Sequence, residues 1–554
     1  MKSLSCAVVV AYASLVYAQS TSPNTSTSTA PVVDLGYVKY AGYSNSTIGI
    51  NYYRGIPFAQ PPVGDLRWRA PRPIEAKNNF GGQTINATQI APFCYQSLPE
   101  SLWAAATVNG ASYFHPDVPS TEDCLILDVL VPQTPVNKSL PVMVQIHGGG
   151  YTLGSAQTSP GDALVHQSNG SLIYVAIQYR LGLFGFLAGE EVYNNGDANA
   201  GLLDQRAALD WVQRNIRAFG GDPSRVTIWG GSAGGGSVTY QLIAGGAFDQ
   251  PPFSAAIPEF PWWQPLLNSS SQEQQYSNAL LAANCTNLAC LRSKDSATLQ
   301  FVNQRAQNIS YPGAPGAGYG SFYYGPVVDG KFIRRLPDQE FKLGNFYKVP
   351  LLVDHDAYEG YIFSNMSTST QTAETMDAEV LFPYAGPSYF SRLYQLYPAS
   401  AYNSTFFQRQ TWFGDFIINC PTYYMATAFT DMAYNSSAVF KLVFAAGTQL
   451  HAATAPFLNS NVIGYPGANN QTLAQIMSSY WLSFAITRDP NPLRAAGAPY
   501  WPSYMSGGNG TAASGESVGF NTLSVTYNSI VVEDDPDASA QCDFFSSQGY
   551  VVRN

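Results

Sequence analysis

The chain is 554 residues long, 45% apolar and 14% aromatic, which is material for a large buried core and marks a globular protein. Only 12% of its residues are charged, and 37 Asp and Glu against 27 Lys and Arg leave a net charge of -10, so no basic stripe is available for a nucleic-acid partner. No internal repeat, long linker or charge block divides the body of the chain, and residues 32–554 read as one domain.

The N-terminus opens with Lys2, runs through a short apolar stretch from Ala7 to Tyr17, and reaches Val16-Tyr17-Ala18 at cleavage spacing, which predicts a secretory signal peptide over residues 1–18. That stretch is too short for a bilayer span, and no later segment predicts a transmembrane helix. Residues 19–31 are Ser/Thr-rich without apolar periodicity and predict a disordered leader. The end, Tyr550 to Asn554, carries neither a retention tetrapeptide nor the apolar tail of a lipid-anchor signal, so the expectation is a secreted, extracellular protein. Asn-x-Ser/Thr sequons at Asn24, Asn45, Asn86, Asn137, Asn169, Asn268, Asn284, Asn308, Asn365, Asn403, Asn435, Asn470 and Asn509 predict N-linked glycans, which would keep so uncharged a surface soluble. Cys6 leaves with the signal. Cys94, Cys124, Cys285, Cys290, Cys420 and Cys542 remain as an even set with 15 possible pairings, and no CxxC or HxxxH spacing accompanies them to suggest zinc.

From Val32 onward, short apolar runs alternate with longer amphipathic stretches, the pattern of a largely parallel sheet flanked by helices. Ligands of such sheets bind beyond the carboxyl ends of the strands, so the segment after each strand matters most. Pro141 to Ile146 predicts a strand followed by His147-Gly148-Gly149-Gly150, a loop whose bare backbone can approach a substrate and aim N–H groups at a developing oxyanion. Gly201 to Phe219 predicts a helix, with Leu203, Ala207, Trp211, Val212, Ile216 and Phe219 at helical spacing and Gly220-Gly221 with Pro223 to stop it. Arg225 to Trp229 predicts the next strand, and Gly230-Gly231-Ser232-Ala233-Gly234 after it is a G-x-S-x-G nucleophile elbow. About 0.4 such motifs would occur by chance in a chain of this composition, so the elbow gains its weight from its place after a strand and from the glycine loop.

Val349 to Val353 predicts a strand leading into Asp354-His355-Asp356-Ala357-Tyr358-Glu359-Gly360, where three carboxylates are candidates for the acid of a triad and a solvated acidic loop is an equal alternative. Val439 to Phe444 predicts the last of the four strands, followed by Gly447 to His451. Among the 5 histidines, His115, His147 and His166 precede Ser232, and His355 lies beside every candidate acid. His451 is therefore the base expected from the order serine, acid, histidine.

Beyond these motifs, the chain resembles the type B carboxylesterase family, which includes cholinesterases and fungal lipases. The resemblance covers nearly the whole mature chain and rests on Tyr53 to Ala59, Pro61 to Gly64, Leu66-Arg67-Trp68, Thr121 to Leu125, Tyr179 to Gly182, Asn199 to Gln205 and Phe219 to Pro223. It implies an α/β-hydrolase fold, with a large mostly parallel sheet flanked by helices. It also implies the acid Glu359, the oxyanion donors Gly149, Gly150 and Ala233, and the disulfides Cys94–Cys124, Cys285–Cys290 and Cys420–Cys542. In relatives the loop closed by the first disulfide lies over the gorge mouth. Two departures stand out: Gly231 replaces the usual glutamate and so removes a buried carboxylate from near the triad, and Phe114 stands about where cholinesterases carry a choline-binding tryptophan, which argues against choline esters.

The resemblance implies a serine esterase or lipase that acts through an acyl-enzyme on a small-molecule or lipid ester, needs no cofactor, and loses activity as His451 becomes protonated. Its rivals are a catalytically silent binding or adhesion protein and a peptidase on the same fold. Glycerides, sterol or pigment esters and feruloyl or other aromatic esters all fit.

Overall fold

The computed structural model describes residues 30–77, 80, 82–97, 118–309, 318–432, 438–459, 468–505 and 520–554. The expected signal peptide, nearly all of the leader, Phe114 and His115 lie outside them. The described chain is built on an eleven-stranded sheet whose strands are, in chain order, β1 (Tyr43–Asn45), β2 (Ile50–Pro57), β3 (Ile126–Pro132), β4 (Leu140–Ile146), β5 (Ile173–Ile177), β6 (Gly221–Gly231), β7 (Ala255–Glu259), β8 (Leu351–Asp356), β9 (Val439–Ala445), β10 (Asn521–Thr526) and β11 (Ile530–Asp534). Across the sheet they lie in the order β11-β10-β9-β8-β7-β6-β4-β5-β3-β2-β1. Every pair from β10 to β5 is parallel, and the strands at both edges pair antiparallel.

The central strands are mainly apolar because both faces are covered. Val142, Val144 and Ile146 of β4 enter one core and Met143 the other, and β5 divides in the same way, with Val175 and Ile177 against Tyr174 and Ala176. Helix α1 (Ala200–Asn215) continues as a 3-10 turn, Ile216–Phe219, and ends at Gly220 with φ 86, so the expected helix ends as its glycines predict. Among the described residues no helix is long and apolar enough to cross a membrane.

The four expected strands are present, and two differ in extent. β6 begins at Gly221, with a register shift against β4 between Gly221 and Val226, and β8 runs on through Asp354, His355 and Asp356. These three polar residues belong to the strand because each finds a partner inside the protein, which their polarity hides from a sequence reading. Chain order reverses between β4 and β6: β5 follows β4 on one side, and β6 returns to the other. This switch point opens a crevice at the strand ends, and the glycine loop and the serine elbow are the segments that emerge into it.

Candidate active site

Ser232 stands between β6 and helix α2 (Ala233–Leu242) at φ 59 and ψ -127, a strained conformation for a non-glycine residue. Its surroundings explain the glycines. A β-carbon at Gly230 would lie 2.5 Å from the Ile146 carbonyl oxygen, one at Gly234 2.1 Å from the same atom, and one at Gly235 2.3 Å from the Glu259 carbonyl oxygen. The elbow therefore packs backbone to backbone against the neighbouring strand ends. Ser232 N–H donates to the Glu259 carbonyl at 3.2 Å, and the Ser232 carbonyl accepts from Gly236 N–H at 2.8 Å and from Trp262 N–H at 2.9 Å.

The glycine loop adjoins it. Gly149 and Gly150 have φ 102 and 60, and a β-carbon on Gly148 would meet the Gly231 carbonyl oxygen at 2.7 Å and Ser232 Cβ at 3.1 Å. His147 is buried and stacks on Tyr179 with ring centroids 4.3 Å apart, while its Nδ1 donates to the Gly148 carbonyl at 2.9 Å. Burial lowers its pKa to about 4, so this imidazole is a neutral brace for the loop.

Glu359 and His451 arrive from the other side of β6. The two turns that carry them are joined by backbone, with Tyr358 N–H donating to the Gln449 carbonyl at 2.9 Å, and His451 Nδ1 donates to Glu359 Oε2 at 2.5 Å. The carboxylate can only accept, so Nδ1 carries the ring proton and Nε2 the lone pair. Both residues are buried. Gly360 is bare for a reason: a β-carbon there would sit 1.9 Å from the Gln410 carbonyl oxygen on the helix Thr405–Gly414.

The segment after β7 is the wall shared by the two halves. Trp262 N–H is bonded to Ser232, and the rings of Phe260, Trp262 and Phe363 all stand edge-on to the His451 imidazole, with centroids 5.1, 6.2 and 5.0 Å away. Phe260 also explains Gly231, where a β-carbon would lie 2.4 Å from the ring; the phenyl group occupies the space that a side chain at 231 would need.

Position 231 lacks the family's usual carboxylate, as the sequence indicates, but other carboxyls are buried close by. Glu259, Asp354 and Asp356 are all buried beside Glu359, and the loop is not a solvated acidic one. Glu259 accepts from Trp229 Nε1, and burial pushes its carboxyl up to about 8. Of the other candidates, His355 faces away and bonds Asp537 through Nε2 at 2.8 Å. All three implied disulfides are present. Among the described residues no group of three or more metal-ligating side chains is placed to hold a metal ion.

Comparison with known proteins matches residues 29–516 to the carboxylesterase family. This chain belongs to the carboxylesterase family. It is 31% identical over 541 residues to "Secreted lipase 1" of Botryotinia fuckeliana, covering 87% of this chain and 89% of that protein. It is 29% identical over 528 residues to "Carboxylesterase patB" of Penicillium expansum, covering 86% and 90%. The crystal structure of Aspergillus niger EstA superposes with a TM-score of 0.81 at 29% identity, over 95% of this chain and 99% of that one. The protein is thus an α/β-hydrolase and a carboxylic ester hydrolase.

In the esterase, the motifs that carry the resemblance pair with one another and frame the site. Arg67 reaches Glu122 through Nε and Nη2 at 2.7 and 2.5 Å, and Arg180 reaches Asp204 through the same two atoms at 2.7 Å each. Gln205 donates to Ser237 Oγ on α2 at 2.9 Å, tying α1 to the helix behind the serine. Phe260, Glu259 and Thr454 stand beside the candidate site, and a single sequence does not reveal them. Their chemistry is ordinary, and only long-range contact gives them a place.

Proposed function

We propose that the esterase cleaves its substrate by two-step acyl transfer on Ser232. His451 Nε2 takes the Ser232 proton as Oγ attacks the ester carbonyl carbon, and main-chain N–H groups of Gly149, Gly150 and Ala233 receive the oxyanion. The same nitrogen returns the proton to the leaving alkoxide as the C–O bond breaks. It then takes a proton from water, whose oxygen attacks the acyl carbon and releases Oγ to be reprotonated. Glu359 holds the imidazole in the required tautomer and stabilises the imidazolium. The observation that carries this reading is the Glu359–His451 hydrogen bond beside an elbow serine at the switch point of the sheet.

The side chains packed behind the glycine loop and the His451 imidazole are aromatic. Phe322 packs directly on Gly150, and Trp262 joins it to Phe363 and Phe413 with centroid separations of 5.7, 4.5 and 6.1 Å. Such walls favour short or flat acyl groups over long chains. The protein also reads as secreted and glycosylated, supported by a secreted relative, by three disulfides, and by sequon asparagines none of which is buried among those described. At Asn45, Asn137 and Asn365 the side-chain oxygen caps the N–H of the sequon's own Ser or Thr.

The test is turnover of nitrophenyl esters of graded acyl length, with feruloyl esters and matched amides alongside, by the wild type and by Ser232→Ala. The substitution should lower kcat about 10⁴-fold or more. Equal rates would discard the mechanism, amide cleavage as fast as ester cleavage would favour the peptidase, and a preference for long acyl chains would remove the proposed acyl class.

A further inference from the structure

Asp356, the last residue of β8, has its side chain wholly buried and lies three residues before Glu359. Its backbone N–H donates to Glu359 Oε1 at 2.6 Å, on the carboxylate whose other oxygen meets His451. Its own carboxyl accepts from the Thr454 hydroxyl at 2.9 Å and from Ala453 N–H at 3.0 Å, an N–H directed also at the Leu450 carbonyl at 2.8 Å. One residue thus touches both the turn that bears Glu359 and the loop that bears His451.

That loop needs external support. Gln449 and Ala452, on either side of His451, have φ 60 and 67, in the left-handed region where a non-glycine residue costs roughly 1 kcal/mol or more. Such a conformation persists where bonds from outside over-determine it, and here the bonds come from Tyr358 N–H to Gln449 and from the Asp356 carboxyl to Ala453 and Thr454.

The surroundings indicate how Asp356 acts. Thr454 Oγ1 also lies 3.4 Å from Asp354 Oδ2, yet a hydroxyl has one proton to give, so one of the two carboxyls must bring its own. Asp354 in turn is the cross-strand partner of Glu259. Among the described residues no lysine or arginine forms an ion pair with Glu259, Asp354 or Asp356, and the basic side chain bonded on this face is the His451 imidazole, held by Glu359. His355, Lys441, Asp535 and Asp537 form a separate network on the opposite face of β8. Burial, reinforced by the neighbouring carboxylates, holds Asp354 and Asp356 well above the usual carboxylate range. A protonated Asp354 can donate to Thr454, which donates to Asp356, and the chain of bonds is then complete without a second anion.

We propose that Asp356 is a positioning residue of the esterase, locking the Glu359 turn to the His451 loop through hydrogen bonds and not through charge. The inference rests on the reading of Ser232, His451 and Glu359 as the triad.

The experiment measures nitrophenyl ester kinetics per active site, with sites counted by a fluorophosphonate that labels the reactive serine, so that unfolded protein does not enter kcat. Asp356→Ala should lower kcat by about tenfold or more with KM within about twofold, because the reacting groups are misplaced while the acyl pocket is intact. Asp356→Asn keeps an oxygen for Ala453 N–H and offers an N–H to Thr454 Oγ1, and should return kcat to within about threefold of wild type. Thr454→Val, of the same shape without the hydroxyl, should lose kcat by about threefold or more and supplies the test if the alanine variant yields no titratable sites. Wild-type kcat in Asp356→Ala or in Thr454→Val would overturn the proposal, as would an Asn variant no better than Ala. Ser232→Ala and Glu359→Gln run in parallel: an active Ser232→Ala overturns the triad reading, whereas inactive triad variants beside an unaffected Asp356→Ala overturn only the role of Asp356.

Discussion

At position 231 the absence of a side chain and the presence of Phe260 are one fact seen from two sides. The phenyl ring packs over the backbone before Ser232 and edge-on to His451, so it excludes water from the imidazole and leaves no room for a side chain at 231. Gly231→Glu, which restores the residue usual in the family, should therefore lower kcat/KM by at least about tenfold, because the ring must move and takes its support from His451 with it. Adding Phe260→Ala should recover a substantial part of the loss. Kinetics of the two single variants and the double variant check this, and additive losses would show that the two sites do not share the space. The glycines are legible in the sequence, because a strand that turns sharply into a helix beside another backbone admits no β-carbon, and that demand appears as residue type within five positions. Ser232 shares this legibility. Phe260 does not, since an aromatic residue after an apolar strand reads as core until the fold sets it against His451, nearly 200 residues away.

At the scale of elements, the site is held by strand ends and by one irregular helix. The helix Thr405–Gly414 passes through a π-helical turn, Asp415–Asn419, into the helix Cys420–Met432, and Trp263 N–H donates to the Ile417 carbonyl within that turn at 3.0 Å. The insertion thereby anchors the aromatic wall after β7. Cys420, where the π-helical turn ends, is bonded to Cys542 on the helix Ala540–Ser547 and closes a loop 122 residues apart in sequence, whereas Cys285 and Cys290 are separated by only 5. Loop-closure entropy favours the long link, by roughly 5 kcal/mol against roughly 2 kcal/mol for the short one. Cys420→Ala with Cys542→Ala should accordingly lower thermal stability more than Cys285→Ala with Cys290→Ala, as differential scanning calorimetry would show, and the reverse order would count against the entropic account. Apolar patterning places four strands and the helix between them, but it ends β8 at Val353 because Asp354, His355 and Asp356 look like a loop. Their burial depends on Thr454, Asp537 and Ala453, which no local window contains.

Taken whole, the molecule sets buried groups of opposite tendency on the two faces of β8. On one face Glu259 has its carboxyl raised by burial from 4.5 to about 8; on the other, despite burial, Lys441 and His355 hold Asp537 below the ordinary range. For Glu259 the folded state binds the proton more tightly than the unfolded chain, so its stabilising contribution is complete below about pH 4.5 and is lost as pH rises toward about 8, an effect on the order of 4 kcal/mol. Asp537 acts in the opposite sense, contributing above about pH 3.8 and losing its contribution as pH falls below that. Thermal stability should therefore be greatest near pH 4 and decline by a few degrees toward pH 8, and Glu259→Gln should flatten the decline; a melting temperature that rises from about pH 4.5 to about pH 8 would contradict the assignment. By itself the sequence determined the family, the elbow and the glycine loop, and named the candidate base and, through resemblance, the candidate acid and the cysteine pairs, because each is written in local residue types or in the order of motifs along the chain. Only the tertiary structure decided what fills the space at Gly231, which carboxyls are buried, and how the acid turn is bound to the base loop. Those are matters of distance between segments from about 30 to about 100 residues apart, and distance between remote segments exists only once the sheet has brought its strand ends together.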